Sequence, residues 1–418
     1  MLGFIRMCAR EYGDVVPLRL GPVRALLLSH PDAIETVLVK NNRMFTKHFS
    51  LRLNRLLLGN GLLTSEGDFW LRQRRLAQPA FHRGRVALYG EIMVAYTERL
   101  LATWREGETR DIHAEMTRLA LEIVVKTLFD ADVAREASDI GAAFQAALAS
   151  FDTRQWLPIP EWVPTPGNVR LWPVIRRLNA IIYGLIEQRR RTGHTSDDLL
   201  SLLLEARDEE DGSRMTDKQL RDEVATLFLA GHETTALALT WTWYLLAQHR
   251  DVEAKLVSEV ETVLGGRAPT VADLPSLRYA EMVVLESMRL YPPAYGIGRE
   301  AIHACEVAGY RVAAGTTIFM SQWVVHRDSR FFEEPEDFRP NRWAGDLPKR
   351  LPKFAYFPFG GGPRVCIGSS FAFMEAILVL ATIAPRFRMT LVPGHPVTPW
   401  PSLTLRPEHG IRAVLTRR

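Results

Sequence analysis

The stretch FPFGGGPRVCIG, Phe357 to Gly368, places Cys366, one of the three cysteines of the chain, among four glycines. Glycine allows positive φ and lets backbone N–H groups approach a bound group closely. An apolar helix is predicted from Phe371 to Ala384, and the dipole at its N-terminus favours a negative charge near the cysteine. Arg364 adds a fixed cation suited to a carboxylate or phosphate. The stretch therefore favours a thiolate ligand for a bound group, although an isolated cysteine is more often merely part of a core.

Composition narrows the class of protein. The chain has 418 residues, 47% of them hydrophobic, and a net charge of +4 from 52 basic and 48 acidic residues. This even balance argues against a nucleic-acid partner. Three cysteines without a CxxC pair make a poor disulfide framework or zinc site and favour a reducing compartment, so we expect a cytoplasmic protein. No run of 18 apolar residues is present, so we expect no transmembrane anchor. No linker or repeat divides the chain, so we predict one domain over residues 1–418.

The periodicity predicts a mainly α protein with small β-sheets, an α+β fold with strands confined to the two ends. Val15–His30 alternates and turns at Gly21-Pro22, which is typical of a β-hairpin. A long helix is predicted from Thr216 to about His249, interrupted at Gly231, and another from about Leu277 to Leu290. The four prolines of residues 157–167 predict a surface loop.

The long helix carries the sequence AGHETT, Ala230 to Thr235. A glycine in mid-helix costs about 1 kcal/mol relative to alanine, so Gly231 requires a reason. Leu227, Ala230 and Thr234 share one helix face, where small side chains leave room for a ligand. Close helix–helix packing with a back-bonded threonine explains the pattern equally well at this point.

The fixed positions Phe359-x-x-Gly362-x-Arg364-x-Cys366-x-Gly368 all match the haem-binding loop of the cytochrome P450 family, which this chain resembles along essentially its whole length. The resemblance implies a single-domain fold with a long central helix over the haem. It implies haem b with Cys366 as the thiolate ligand of the iron. Phe359 would pack near that ligand, and Gly362 and Gly368 would bring backbone amides toward it.

The resemblance also assigns roles outside this loop. Thr234 would hydrogen-bond dioxygen, Glu233 would help to deliver protons, and Ala230 would line the haem. The residues expected to converge on the haem carboxylates are Trp70, Arg74, Arg299 and Arg364. The family's Glu-x-x-Arg pair matches Glu286 and Arg289, with Arg342 as the third member of a structural triad.

The resemblance departs at the N-terminus, where the family's proline-rich lead-in and most of its first helix are absent. Whether the native N-terminus is longer is left open by the sequence. A monomer is predicted.

The implied function is that of a haem-thiolate monooxygenase, which uses O2 and two electrons to oxidise a C–H or C=C bond. No flavin or iron–sulfur segment is present, so electrons from NAD(P)H would arrive through a separate reductase and a ferredoxin or flavodoxin. Such an acidic partner would suit a basic face. The residues expected to form it are Arg72, Arg74, Arg75, Arg83, Arg85, Lys349, Arg350 and Lys353.

The predicted substrate is a hydrophobic small molecule: a terpenoid, fatty acid, steroid or polyketide, with a lipid or terpenoid favoured. The expected pocket residues are Leu53, Leu56, Leu57, Leu58, Phe151, Trp156, Trp162, Leu229 and Tyr295. Arg52 and Arg55 could anchor a carboxylate or simply lie on the surface. Two alternatives stay open at this point, a peroxide-driven peroxygenase and a haem protein that only senses a ligand. The Glu233-Thr234 pair argues against both, because neither needs a proton relay for O–O cleavage.

Overall fold

Helices make up most of the structure, a computed structural model that describes residues 1–52, 55–130, 163, 165–192 and 198–418. In chain order the first helices are α1 (Leu2–Tyr12), α2 (Pro31–Glu35), α3 (Phe49–Arg52), α4 (Arg55–Leu58), α5 (Gly67–Ala77), α6 (Arg83–Leu88), α7 (Gly90–Ala102) and α8 (Ile112–Phe129). They are followed by α9 (Pro166–Thr192), α10 (Leu199–Glu205), α11 (Asp217–Gln248), α12 (Arg250–Leu264), α13 (Arg278–Leu290), α14 (Gln322–Val325), α15 (Leu347–Arg350) and α16 (Ser369–Ile383).

The strands are short and form small sheets. They are β1 (Val15–Leu20), β2 (Val23–Leu28), β3 (Phe45–Lys47), β4 (Thr109–Asp111), β5 (Ile297–Ala301), β6 (Cys305–Val307), β7 (Tyr310–Val312), β8 (Thr317–Met320), β9 (Phe387–Leu391), β10 (Pro399–Pro401), β11 (Leu405–Pro407) and β12 (Arg412–Arg417). The largest sheet has the order β1-β2-β8-β5-β3, in which β2 and β8 run parallel with Leu26 opposite Ile318. The strand order β4-β12-β9 forms a second sheet.

The hydrophobic core of the large sheet also holds the beginning of the cysteine loop. Phe354 and Phe357 are buried in one cluster with Leu28, Ile34 and Ile318. Because Phe357 is anchored there, the glycines and the cysteine that follow it start from a fixed point on the sheet.

The chain forms two compact units. The first unit comprises Met1–Thr46, Met93–Leu119 and Thr234–Arg418, and the second comprises Lys47–Ile92 and Ala120–Glu233. Helix α11 runs from the second unit into the first. Among the described residues, no helix is long and apolar enough to cross a membrane.

Most of the predicted elements are confirmed, with two corrections. The hairpin at Gly21, the helices over 217–248 and 278–290 and the apolar helix after the cysteine are all present. The prediction that the long helix is interrupted at Gly231 is wrong, because α11 is helical throughout. The prediction that strands occur only near the two ends of the chain is also wrong, because Thr109–Asp111 forms an edge strand that pairs with β12. The proline-rich loop at 157–167 lies largely outside the described residues.

Candidate active site

The cysteine loop is held in a tight backbone conformation. The Cys366 N–H donates to Phe359 O at 3.0 Å, and the Gly360 N–H donates to Phe357 O at 2.9 Å. A 3-10 turn over Gly362–Arg364 is closed by the Val365 N–H, which donates to Gly362 O at 3.1 Å. These bonds fold the loop back on itself, so the position of Cys366 is set by local geometry.

The glycines of this loop meet different steric demands. Gly360 and Gly362 have φ values of 72° and 68°, a region that residues with a Cβ rarely adopt. A Cβ on Gly362 would lie 1.9 Å from Leu38 O. Gly361 has extended backbone, but a Cβ there would lie 2.3 Å from the Phe354 ring. Gly368 is the N-cap of α16 with φ −90°, so it does not use the positive φ that glycine allows.

Cys366 differs from the other two cysteines in its accessibility. Its side chain is exposed, whereas Cys8 is buried and Cys305 is half-buried. Burial raises the pKa of both the Cys8 and the Cys305 thiols, which disfavours their thiolate forms. Cys366 also lies three residues before α16, whose N-terminus favours an anion. Of the three, Cys366 is the cysteine suited to bind a metal as thiolate.

A chain of hydrogen bonds links the loop to α13. His326 is fully buried, and its Nε2 accepts a hydrogen bond from the Phe357 N–H at 3.0 Å. Its ring is therefore neutral with the proton on Nδ1, and burial together with Arg289 and Arg327 holds its pKa well below the usual value. The His326 carbonyl in turn accepts from Arg289 Nη1 at 2.8 Å. No local sequence pattern predicts this role for His326.

Arg289 belongs to the triad predicted from the sequence, and the structure brings all three members together. The carboxylate of Glu286 is fully buried and accepts from Arg289 Nη2 at 2.8 Å and from Arg342 Nε at 2.9 Å. It also accepts from Trp343 Nε1 at 2.9 Å. The triad therefore forms a structural centre behind the cysteine loop.

The middle of α11 carries a narrow accessible strip. From Leu220 to Trp243 every residue is buried except Ala230, Gly231 and Thr234. Ala230 and Thr234 are four residues apart and share a helix face. Gly231 has a separate packing reason, because a Cβ there would lie 3.2 Å from Val124 Cγ2. Between Leu220 and Trp243, this strip is the part of the helix that a bound molecule can reach.

Glu233 lies outside this strip. Its side chain is buried, and its Oε2 is 4.0 Å from Nε2 of His232. Nδ1 of His232 is 3.0 Å from Phe228 O, so the ring is tied to the preceding helical turn. Thr234 and Glu233 are therefore adjacent in sequence but differ in accessibility.

The residues expected at the haem carboxylates fall in both units. Arg364 and Arg299 belong to the first unit, where both are half-buried and Arg299 lies on β5 opposite Ile318. Trp70 and Arg74 lie one turn apart on α5 in the second unit. Trp70 is buried, with Lys47 Nζ 5.7 Å from its ring centroid.

In the second unit, α11 also holds the segment that follows α4. Asp222 Oδ2 accepts from the Asn60 N–H at 2.8 Å, and Glu223 Oε2 accepts from the Leu62 N–H at 3.0 Å. A Cβ on Gly61 would lie 2.2 Å from the Thr226 hydroxyl oxygen, so the segment lies directly on the helix. Burial raises the pKa of Glu223 to about 8. No local sequence pattern predicts this contact, because more than 150 residues separate its partners.

The predicted basic face is partly neutralised. Arg72 Nε is 3.0 Å from Asp208 Oδ2, and Arg75 pairs with Asp208 and Glu210. In the first unit, Arg350 and Lys353 also have carboxylate partners. Much of the expected positive charge is therefore matched within the chain.

The expected substrate-pocket residues are only partly described. Leu57, Leu58, Leu229 and Tyr295 are buried, and the Tyr295 hydroxyl donates to Ser402 O at 2.8 Å. Arg52 Nε donates to Lys47 O at 2.9 Å. Leu53, Phe151, Trp156 and Trp162 lie outside the described residues, as does the side chain of Leu56.

Comparison with known proteins defines the class. The sequence model of the family described as Cytochrome P450 matches residues 1–412, and the chain belongs to this family. It is a cytochrome P450 monooxygenase, an oxidoreductase of a class that uses haem with thiolate ligation and O2.

Three bacterial relatives illustrate the similarity. The chain is 38% identical to the cyclooctatin synthase of Streptomyces melanosporofaciens, over 94% of this chain and 87% of that protein. It is also 38% identical to the pentalenene oxygenase of Streptomyces avermitilis, over 97% of this chain and 91% of that protein. A third relative, the cyclooctat-9-en-7-ol 5-monooxygenase of Streptomyces melanosporofaciens, is 39% identical over 92% of this chain and 84% of its own.

Proposed function

We propose that this chain is a haem-thiolate monooxygenase, working as a single domain, that hydroxylates or epoxidises an apolar terpenoid. The observation that carries the proposal is the exposed Cys366, held before α16 by a loop that requires glycine at Gly360 and Gly362. A thiolate there is a soft ligand for iron, and the N-terminus of α16 would stabilise its charge.

The residues present fit a haem in their donor chemistry. Cys366 would ligate the iron, and Arg364, Arg299, Arg74 and Trp70 would supply N–H donors to its two carboxylates. When bound, a thiolate-ligated haem supplies reductive activation of O2, with one oxygen atom going to the substrate and the other leaving as water.

We assign to Thr234 Oγ1 a hydrogen bond toward dioxygen, because this hydroxyl belongs to the accessible strip of α11. The Glu233 carboxyl would supply protons. Consecutive helical residues lie about 100° apart, so a change of Glu233 rotamer would bring its carboxyl toward Thr234. Replacing Thr234 with a residue that lacks a hydroxyl would leave this proton route incomplete.

The proposed substrate class rests on the relatives. Their names contain an alkene, pentalenene, and an unsaturated alcohol, cyclooctat-9-en-7-ol. Small residues on the accessible strip and buried leucines such as Leu57 and Leu229 suit an apolar skeleton. We therefore propose an unsaturated terpenoid as the substrate.

We propose a ferredoxin or flavodoxin, with its reductase, as the electron donor. Since Arg72 and Arg75 are engaged with Asp208 and Glu210, a broad positive surface is not the basis for docking. Exposed cations such as Lys349 are better candidates. The cytoplasmic location and the monomeric state stay predictions.

The test is an oxygen-labelling assay with purified holoprotein. The protein is incubated with NADPH, a surrogate ferredoxin and reductase, ¹⁸O2 and a panel of apolar terpenes, fatty acids and steroids. We expect a terpene product that carries one ¹⁸O atom. Product formed only with added peroxide would support a peroxygenase, and ligand-induced Soret shifts without any product would support a sensor.

A further inference from the structure

We infer, building on the proposed function, that His326 is the positioning residue of the cysteine loop and that its neutral ring keeps Cys366 in place as a ligand. His326 follows α14 directly and is fully buried. It contacts the loop at its beginning, because its Nε2 accepts the Phe357 N–H at 3.0 Å. The residue would therefore act on Cys366 through the backbone of the loop.

The backbone of Phe357 is linked to that of Cys366 by two hydrogen bonds. The Phe357 ring is packed in the core of the large sheet, and its carbonyl oxygen accepts from the Gly360 N–H at 2.9 Å. Phe359, within this turn, accepts from the Cys366 N–H at 3.0 Å. A shift of the Phe357 backbone would therefore displace Cys366 as well.

The contact of His326 with the loop requires a neutral ring. Nε2 accepts the Phe357 N–H only while it carries no proton, because a protonated imidazole has two donors and no acceptor. A proton on Nε2 would place two donors against each other in a position that water does not reach. Protonation of the ring therefore breaks the hydrogen bond, and the loop loses this link to the rest of the fold.

The surroundings of the ring oppose its protonation. Burial is the main cause of the lowered pKa of His326, and the guanidiniums of Arg289 and Arg327 lower this pKa further. The backbone of Met288 and Arg289, at the C-terminal end of α13, has the opposite effect but does not outweigh burial. The closed loop therefore holds the ring neutral at a pH where an ordinary histidine is charged.

The other ionisable groups beside the ring supply no unmatched negative charge. The Tyr356 ring centroid lies 5.0 Å from that of His326, and its hydroxyl donates to Leu285 O at 2.9 Å. Burial raises the pKa of Tyr356 well above the usual value, so this group stays neutral. On α13, the Glu286 carboxylate is already matched by two guanidiniums. A protonated ring would find no anion to pair with among these groups.

A pH dependence of the loop follows from this arrangement. With the loop released, His326 would have an ordinary pKa near 6.5 and would take up a proton below that pH, whereas the closed loop excludes the proton. The closed form is therefore fully favoured above about pH 6.5. Its equilibrium constant against the open form should fall about tenfold for each pH unit below this value.

The test is the ferrous–CO difference spectrum of the purified holoprotein between about pH 8 and about pH 5. His326→Gln replaces the ring by an uncharged acceptor that does not titrate in this range, so it should keep the red-shifted band at pH 8 and retain it about one pH unit further into acid than the wild type. His326→Leu removes the acceptor and should lose a large part of the band at every pH. His249→Gln is the matched control, because His249 is half-buried with its Nδ1 2.8 Å from Leu245 O, and it should follow the wild type.

Hydrogen exchange of the peptide from Phe357 to Cys366 is a second measurement, which does not depend on the ligand of the iron. His326→Leu leaves the buried Phe357 N–H without its acceptor, so this peptide should exchange about tenfold faster than in the wild type at pH 8. His326→Gln restores an acceptor, and its exchange should stay within about threefold of the wild type.

The same pH midpoint for the wild type and His326→Gln would overturn the proposal, because protonation of another group, such as Cys366 itself, would then break the ligation. Unchanged exchange in His326→Leu would overturn it as well. If His326→Leu does not fold, His326→Gln still decides through its pH midpoint. A wild type without the red-shifted band at any pH would refute the proposed haem-thiolate function, whereas the exchange comparison would still decide whether His326 positions the loop.

Discussion

Replacing Glu286 with glutamine is expected to destabilise the protein strongly. The carboxylate is fully buried and accepts five hydrogen bonds, two from Arg289, one each from the side chains of Arg342 and Trp343, and one from the Arg339 backbone. Glutamine would remove the negative charge between two guanidiniums and turn an NH2 group toward some of these donors.

The size of the effect follows from this burial. Removing one partner of a buried ion pair costs about 3–5 kcal/mol, because the remaining charge stays uncompensated. With an m value of about 3 kcal/mol per M, the urea midpoint should fall by roughly 1 to 1.7 M. The hydrogen bonds from Arg289 through His326 to Phe357 mean that the cysteine loop should loosen together with α13.

The assay is urea unfolding followed by far-UV circular dichroism, with the haem band recorded in parallel. Glu281→Gln is the matched control, because Glu281 lies on the same helix and pairs with Arg278 three residues away at 2.7 Å. That pair is 69% and 31% exposed, so its loss should cost less than about 1 kcal/mol. Equal midpoints for the two variants would refute the claim that a buried charge centre supports the loop.

Three further predictions concern the cysteine loop and α11. Gly362→Ala should lower the free energy of unfolding by several kcal/mol and release haem, because the new Cβ would lie 1.9 Å from Leu38 O. Gly394→Ala is the control, since Gly394 has a similar φ but open space around it and should lose only the stability that the backbone strain costs. Similar losses of stability in the two variants would contradict the steric argument. The pKa of Glu223 is raised to about 8, so the folded state keeps a proton that the unfolded chain releases. The free energy of unfolding should therefore fall as pH rises from about 5 to about 8. Glu223→Gln should flatten this dependence of stability on pH, measured by urea unfolding at several pH values. An unchanged pH dependence in the variant would exclude the Glu223 carboxyl as its source. Thr234→Ala should keep NADPH consumption but divert it to peroxide, measured as product per NADPH; unchanged coupling would remove Thr234 from the proton route.

Local signals made much of the fold predictable. Gly21-Pro22 between alternating strands and the apolar helix after Cys366 are patterns of neighbouring residues, and the structure contains both. The Glu286–Arg289 pair was predictable for the same reason, since its spacing puts both side chains on one helix face. Part of the backbone of the cysteine loop was also predictable, because Gly360 and Gly362 adopt the positive φ that glycine permits.

Contacts between distant segments could not be predicted in this way. The hydrogen bond of His326 to the cysteine loop and that of Glu223 to Leu62 join residues 31 and 161 positions apart. Asp208 neutralises Arg72 and Arg75 by the same kind of long-range contact. Hydrophobic periodicity does not specify which polar groups meet, because register and packing across the fold decide it.

The most direct test of the central claim is the ferrous–CO difference spectrum of the purified holoprotein and its Cys366→His variant. Thiolate ligation by Cys366 predicts the red-shifted band characteristic of haem-thiolate proteins in the wild type, and its loss in the variant while haem is retained. The same red-shifted band in Cys366→His would show that another residue ligates the iron, and the assignment of Cys366 would be wrong.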